Sequence, residues 1–137
     1  MGSSHDAFSA FKTKTFARFA RKARITDSEL WKAAEAVNQG CIDADLGGGV
    51  VKQRIARAGQ GKSGGSRSII LLRRGHRAVF VFGFEKKDQA NISEHDLLLF
   101  RKLAFLYLDA SKKQMTQWIE AGALQRIEFQ ANLSEED

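Results

Sequence analysis

Apolar residues recur along this chain with two different periods, and the places where the period changes mark the expected elements. Residues 8–13 make a short run that predicts an edge strand. Over residues 15–24 the period lengthens, so that Phe16, Phe19, Ala20 and Ala23 share a helical face while Arg18, Arg21 and Lys22 point elsewhere. Ile25-Thr26-Asp27-Ser28 breaks that helix and supplies N-cap residues for a second one over residues 29–38. Leu30, Ala33, Ala34 and Val37 form its inward stripe and Gly40 closes it. The two helices are expected to pair as an antiparallel hairpin. Residues 43–49, ending in three glycines, read as a turn-rich linker.

Strand-like alternation follows. Over residues 50–57, Lys52 and Arg54 share one face and Val51 and Ile55 the other. Residues 67–72 are mostly apolar, residues 73–76 (Arg-Arg-Gly-His) read as a tight hairpin turn, and residues 78–84 are apolar on both faces, which predicts a central strand of an antiparallel meander. Residues 92–108 form the longest expected helix, capped by Asn91 or Ser93, with Leu97, Phe100, Leu103, Ala104 and Tyr107 as core stripe. Ser111 caps a shorter helix over residues 112–121, closed by Gly122, and residues 124–129 are strand-like. The expected fold class is α+β: two N-terminal helices packed on a small antiparallel sheet, followed by C-terminal helices. One domain is expected over residues 8–129, after an expression-tag remnant at residues 1–7 and before an acidic tail at residues 130–137.

Composition sharpens this in three ways. A chain of 137 residues with 43% apolar and 28% charged residues suits one ordinary globular domain. A single cysteine, Cys41, excludes an internal disulfide and a cysteine-based zinc site; it is expected to be a half-buried residue near a helix end. No apolar run has spanning length and no signal-peptide pattern is present, so the expectation is a cytoplasmic protein with no membrane partner.

Charge changes the picture most. From Leu46 to Phe84 the chain carries eight cations, Lys52, Arg54, Arg57, Lys62, Arg67, Arg73, Arg74 and Arg77, and no acid. A second basic block between Lys12 and Arg24 holds six cations and no acid. The net charge is +6, with the acids mainly between Asp27 and Asp45 and from Glu85 onward. An acid-free basic stretch spread over several strands suits a phosphodiester backbone better than a merely solvated surface.

The specific motifs narrow the chemistry. Gly59-Gln60-Gly61-Lys62-Ser63 is not a phosphate-binding P-loop, since Ala56 stands where the first glycine is required and a strand, not a helix, follows. It remains a basic loop whose amides, with Lys62, suit a nucleic-acid phosphate. The stretch from Arg77 to Phe84 partly resembles an RNA-recognition signature but lacks its glycine after the basic residue. Phe80 and Phe82 read as core, and Phe84, at the strand end, is the ring expected to stack on a base. His76 and His95 have no ligand spacing, so no metal and no cofactor are expected. Cations alone suffice for RNA cleavage in principle: a lysine crowded by other cations has a lowered pKa and can take a proton, while arginine stays charged and clamps phosphate.

The run Lys52-Gln53-Arg54-Ile55-Ala56-Arg57, the loop Gly59 to Gly65, Arg67 and Phe80-Val81-Phe82-Gly83-Phe84, after a helix hairpin, resemble bacterial toxins of the RelE/ParE superfamily. More narrowly, they resemble its branch with a Lys-x-Arg-x-Ala-Arg-x-Gly-x-Gly-Lys-Ser-Gly-Gly core and a longer helical C-terminus. The resemblance implies the toxin of a type II toxin–antitoxin pair, held in a heteromeric complex by a cognate antitoxin. RelE-like members cut mRNA, usually on the ribosome, without metal. The resemblance implies Lys52 as candidate base, with Arg54, Arg67 and Lys87 as phosphate and transition-state ligands; Lys86 shares the last role by register, and Arg57 and Lys62 dock the backbone. Two departures stand out. Ser66 precedes Arg67 where the family often has tyrosine, and Ile92 and Ser93 occupy the region where a functional tyrosine follows the last basic residue. Two other readings stay open: a ParE-like poison of DNA gyrase with no nuclease residues, and a non-catalytic basic module for RNA or DNA.

Overall fold

The computed structural model describes residues 7–56, 65–89 and 91–128. Among these residues the fold is α+β, with four helices on a six-stranded mixed sheet. Its elements run β1 (Ser9–Thr13), α1 (Lys14–Ala23), α2 (Asp27–Asn38), β2 (Ala44–Gly47), β3 (Val50–Arg54), β4 (Ser66–Arg73), β5 (Arg77–Glu85), α3 (Glu94–Leu108), α4 (Lys112–Glu120) and β6 (Leu124–Ile127). The sheet order is β2-β3-β4-β5-β1-β6.

Strands β3 to β5 pair antiparallel in succession as expected, but the sheet does not end there. β1 lies parallel to β5 and antiparallel to β6, so the expected edge strand is an inner one and the sheet is not purely antiparallel. The physical reason is burial on both sides: Ala10 and Phe11, neighbours with opposite side-chain directions, are both buried, each in a different core. The expected linker at residues 43–49 is also a strand in its first part, β2, paired with β3 across a bulge near Asp45. Its glycines make the turn: Gly47, Gly48 and Gly49 all have positive φ, and a side chain on Gly48 would meet Arg101. Both edges of the sheet, β2 and β6, are only four residues long, which leaves little unpaired backbone to recruit another strand.

Local signals set the helices. Thr26 and Glu29 form a reciprocal capping box at α2, and Thr13, Ser93 and Ser111 cap α1, α3 and α4 through their hydroxyls. Helices α1 and α2 cover one face of the sheet, where Phe16, Leu30, Ala34 and Val37 meet Val51, Ile70 and Phe80. Helices α3 and α4 cover the other, where Phe100, Ala104, Leu108 and Met115 meet Val50, Ile69, Leu71 and Val79. α1 lies close to β5 because Gly83 has no side chain; a Cβ there would collide with the Phe19 ring. Cys41, expected to be half-buried, is exposed just after α2. No helix among the described residues is long and apolar enough to cross a membrane.

Candidate active site

The antiparallel register between β3 and β4 builds the site. Arg54 stands directly opposite Arg67, and Lys52 opposite Ile69. Directly opposed residues point to the same side of a sheet, as do residues two apart on one strand. Lys52, Arg54 and Arg67 therefore share one face, with Arg54 and Arg67 roughly 5 Å apart at Cβ as any opposed pair is. This is the face that α3 and α4 cover farther along, where Val50, Ile69 and Leu71 belong to their core. The three cations lie toward the end of β3 and the start of β4. Lys52 and Arg67 are half-buried, and Arg54 is exposed.

Placing like charges opposite one another in a sheet is unfavourable by up to about 1 kcal/mol, so something else must hold the strands in register. The opposite face does so. Gln53, buried there, donates through Nε2 to the Cys41 carbonyl at 2.9 Å and accepts from the Asp43 amide at 2.8 Å. Asp43 in turn accepts from the Arg54 amide at 2.7 Å, and the Ser68 hydroxyl donates to the Gln53 carbonyl at 2.9 Å. These bonds stitch β3 to both neighbouring segments without using any of the cations' side chains.

Each cation is presented differently. The Lys52 ammonium donates to Asn91 Oδ1 at 3.1 Å. That same oxygen accepts from the Ile92 amide at 3.0 Å, just before α3. Asn91, expected as a possible helix cap, is displaced from that role by Ser93, which leaves its amide oxygen to orient Lys52. The Arg67 guanidinium has one weak contact, 3.5 Å to the carbonyl of its own neighbour Ser66. Within the described residues, neither Lys52 nor Arg67 has a carboxylate partner; the ion pairs are Lys12 with Asp27 and Arg73 with Asp109.

The remaining expected site residues are placed elsewhere. Lys86 and Lys87 are exposed in the turn after β5, where the Lys86 amide donates to the Gly65 carbonyl and anchors the segment entering β4. Lys87 lines a cleft of about 580 Å³ together with Phe19 and Lys22 of α1 and Gly83 of β5, on the α1 side of the sheet. It borders the end of the sheet and does not share the face of the other three. Phe84 is only 4% exposed, its ring packed against Phe82 under α3, so the ring expected to stack on a base is core. Arg57, Lys62 and the glycine-rich segment at residues 57–64 lie outside the described residues, as does the acidic tail.

Not every cation of the basic stretch is available. At the other end of β4, Arg73 stands opposite Arg77 of β5. Arg77 is buried and donates through Nη1 to the carbonyls of Tyr107 and Ala110, at 2.7 and 3.0 Å. Arg73 donates to the Leu108 carbonyl and to Asp109. Both arginines thus satisfy the C-terminal end of α3, where the helix dipole is negative. Burial first, then the charges of Arg73 and Arg126, push the Arg77 guanidinium below its ordinary value. Among the described residues, no cluster of three histidine, cysteine or acidic side chains stands at metal-binding distance.

A trio of cations on one sheet face, with one amine oriented and one guanidinium scarcely engaged, can bind a phosphodiester and stabilise added negative charge on phosphorus. Comparison with known sequences identifies the family. The model of the family described as RelE toxin of RelE / RelB toxin-antitoxin system matches residues 9–127. No curated protein matches the chain.

Proposed function

The chain belongs to the RelE toxin family and is the toxin of a toxin–antitoxin pair, and from that premise we propose that it is an mRNA endoribonuclease. It acts in the cytoplasm on translated messages, without a metal ion, and its antitoxin keeps it silent. The observation that carries the reading is the register that sets Arg54 against Arg67 with Lys52 two positions along on the same face. A gyrase-directed binding protein has no need to converge cations at one point of a sheet.

In the proposed reaction Lys52 takes the proton of the ribose 2′-hydroxyl, whose oxygen attacks the adjacent phosphorus. Arg67 and Arg54 hold the non-bridging oxygens as charge builds on the phosphorane. Asn91 fixes the direction of the Lys52 amine. Lys87, at the edge of the sheet, contacts the phosphate chain leaving the site, as do Lys86, Arg57 and Lys62. The products are a 2′,3′-cyclic phosphate and a free 5′-hydroxyl. Arginine holds its protons too tightly to be a good donor, so the departing 5′ oxygen takes its proton from water, and the proton taken by Lys52 returns to solvent. The trio thus lacks a strong acid, and ordering of the message by the ribosome makes up part of the difference.

Mapping RNA 5′ ends in cells briefly expressing the chain tests this, with Lys52→Ala as control. New ends at a fixed codon phase in translated messages, absent with Lys52→Ala, are expected. Intact messages alongside growth arrest and DNA damage would replace the proposal with a gyrase target.

A further inference from the structure

α3 is apolar nearly all round. One side, Phe100, Ala104 and Leu108, is buried on the sheet. The other carries the only exposed large hydrophobic residues among those described: Leu98 at 57%, Leu99 at 49%, Phe105 at 75% and Leu106 at 47%. A helix hydrophobic on all sides is normally covered on all sides. These four side chains run along about 12 Å of helix, which suits two to three turns of a partner segment. Leu99 also borders a groove of about 460 Å³ whose walls include Val81, Phe82, Leu103 and Tyr107. The groove is also lined by Thr13, Lys14, Thr15 and Asp96, so the exposed stripe adjoins a part-apolar groove, a combination that marks a protein-binding site.

We infer that this outward face of α3 is the docking site of the antitoxin, through an amphipathic segment that places an acidic residue against Lys102. The charge pattern selects this occupant. Lys102 is exposed in the middle of the stripe, one turn from both Leu98 and Phe105. From Leu97 to Leu108 the helix has Arg101 and Lys102 and no acid. Arg101 is already engaged with the carbonyls of Leu46 and Gly47, so Lys102 carries the charge of the exposed stripe. In a two-fold pairing of two copies over this stripe, Lys102 would face its own symmetry mate at the centre with no carboxylate between them. A different chain with apolar residues at helical spacing and one acid meets both requirements. The inference rests on family membership and is independent of the nuclease reading.

The test is calorimetric titration of the purified cognate antitoxin into the toxin and its variants, with light scattering of the free toxin in parallel. Phe105 and Lys102 are exposed, so Phe105→Asp and Lys102→Glu should keep the melting temperature of the parent. The expected result is a rise in Kd of about 30-fold or more for Phe105→Asp, in line with loss of a central aromatic anchor. Lys102→Glu should raise Kd about 10-fold, by an amount that shrinks as salt is added. Arg18→Glu, on the exposed side of α1, serves as the reference surface change. In cells, toxin carrying Phe105→Asp should still arrest growth and should no longer be rescued by co-expressed antitoxin. Unchanged Kd for both α3 variants overturns the inference. If Phe105→Asp instead converts a free toxin dimer to monomer with Kd unchanged, the face joins two copies of this chain and the inference is equally overturned.

Discussion

Strand β4 carries an arginine near each end, each opposed by another arginine on a neighbouring strand, and the two ends behave differently. At the turn end, Arg73 and Arg77 face the C-terminus of α3, and its last carbonyls absorb their donors. At the open end, Arg67 faces Arg54 across to β3, and its guanidinium has a single 3.5 Å contact, to the Ser66 carbonyl. Residue type, strand position and charge repulsion are alike. What differs is the backbone brought near by the rest of the fold. A cation whose donors are spent on carbonyl oxygens is part of the scaffold; one left with a single long contact is available to a ligand.

Four measurements sharpen or break that contrast. The largest expected effect is at the open end: Lys52→Ala and Arg67→Ala should each lower message cleavage by about 100-fold or more. Both should melt within about 2 °C of the parent, because exposed or half-buried side chains with few contacts contribute little to stability. Equal loss of melting temperature at both ends would erase the distinction. The next largest is Arg77→Ala, where two carbonyls at the end of α3 lose a buried donor. A loss of about 3 kcal/mol is expected, seen as a melting temperature lower by about 10 °C in thermal denaturation. Asn91→Ala should follow, with about a 10-fold fall in kcat at nearly constant KM and unchanged melting, since it aims the Lys52 amine without touching the message. Smallest is Arg73→Ala. Its ion pair with Asp109 is exposed, so a change of about 1 kcal/mol or less is expected by urea denaturation, with cleavage intact.

The same contrast explains what could be read from residues alone. Caps are local: Thr26 with Glu29, Ser93 and Ser111 act within one turn, so the helix starts were legible. The alternation of Lys52 and Arg54 was legible for the same reason, since two-residue periodicity is a property of one strand. What escaped depends on distant pairing. β1 carries only a five-residue signal, and its inner place follows from meeting β5 and β6. β2 was hidden by the glycines at its end, of which Gly47 closes the strand and Gly48 and Gly49 make the turn. Phe84 looked like a strand-end ring until Phe82 and Phe100 were seen to close over that part of the face. Asn91 sat in the right sequence neighbourhood for a cap, and only the 39-residue approach of Lys52 reveals its other use. Likewise, nothing in the order of cations separates Arg77 from Arg67; the return of α3 across the sheet does.

The inner position of β1 also has a kinetic consequence. Its side-chain contact with β6, from Arg126 to Ser9, joins residues 117 positions apart, and its other neighbour, β5, lies past the middle of the chain. Contacts of such long sequence separation form late, because the intervening loop must be closed before they return any free energy. As the chain leaves the ribosome, the first strand made waits for one of the last. Until Leu124–Ile127 has emerged, Ala10 and Phe11 have only β5 beside them, and the sheet that aligns Arg54 with Arg67 is incomplete. Synthesis of this toxin thus includes an interval in which the β3–β4 pair that carries the basic face exists while the far edge of its sheet is still open.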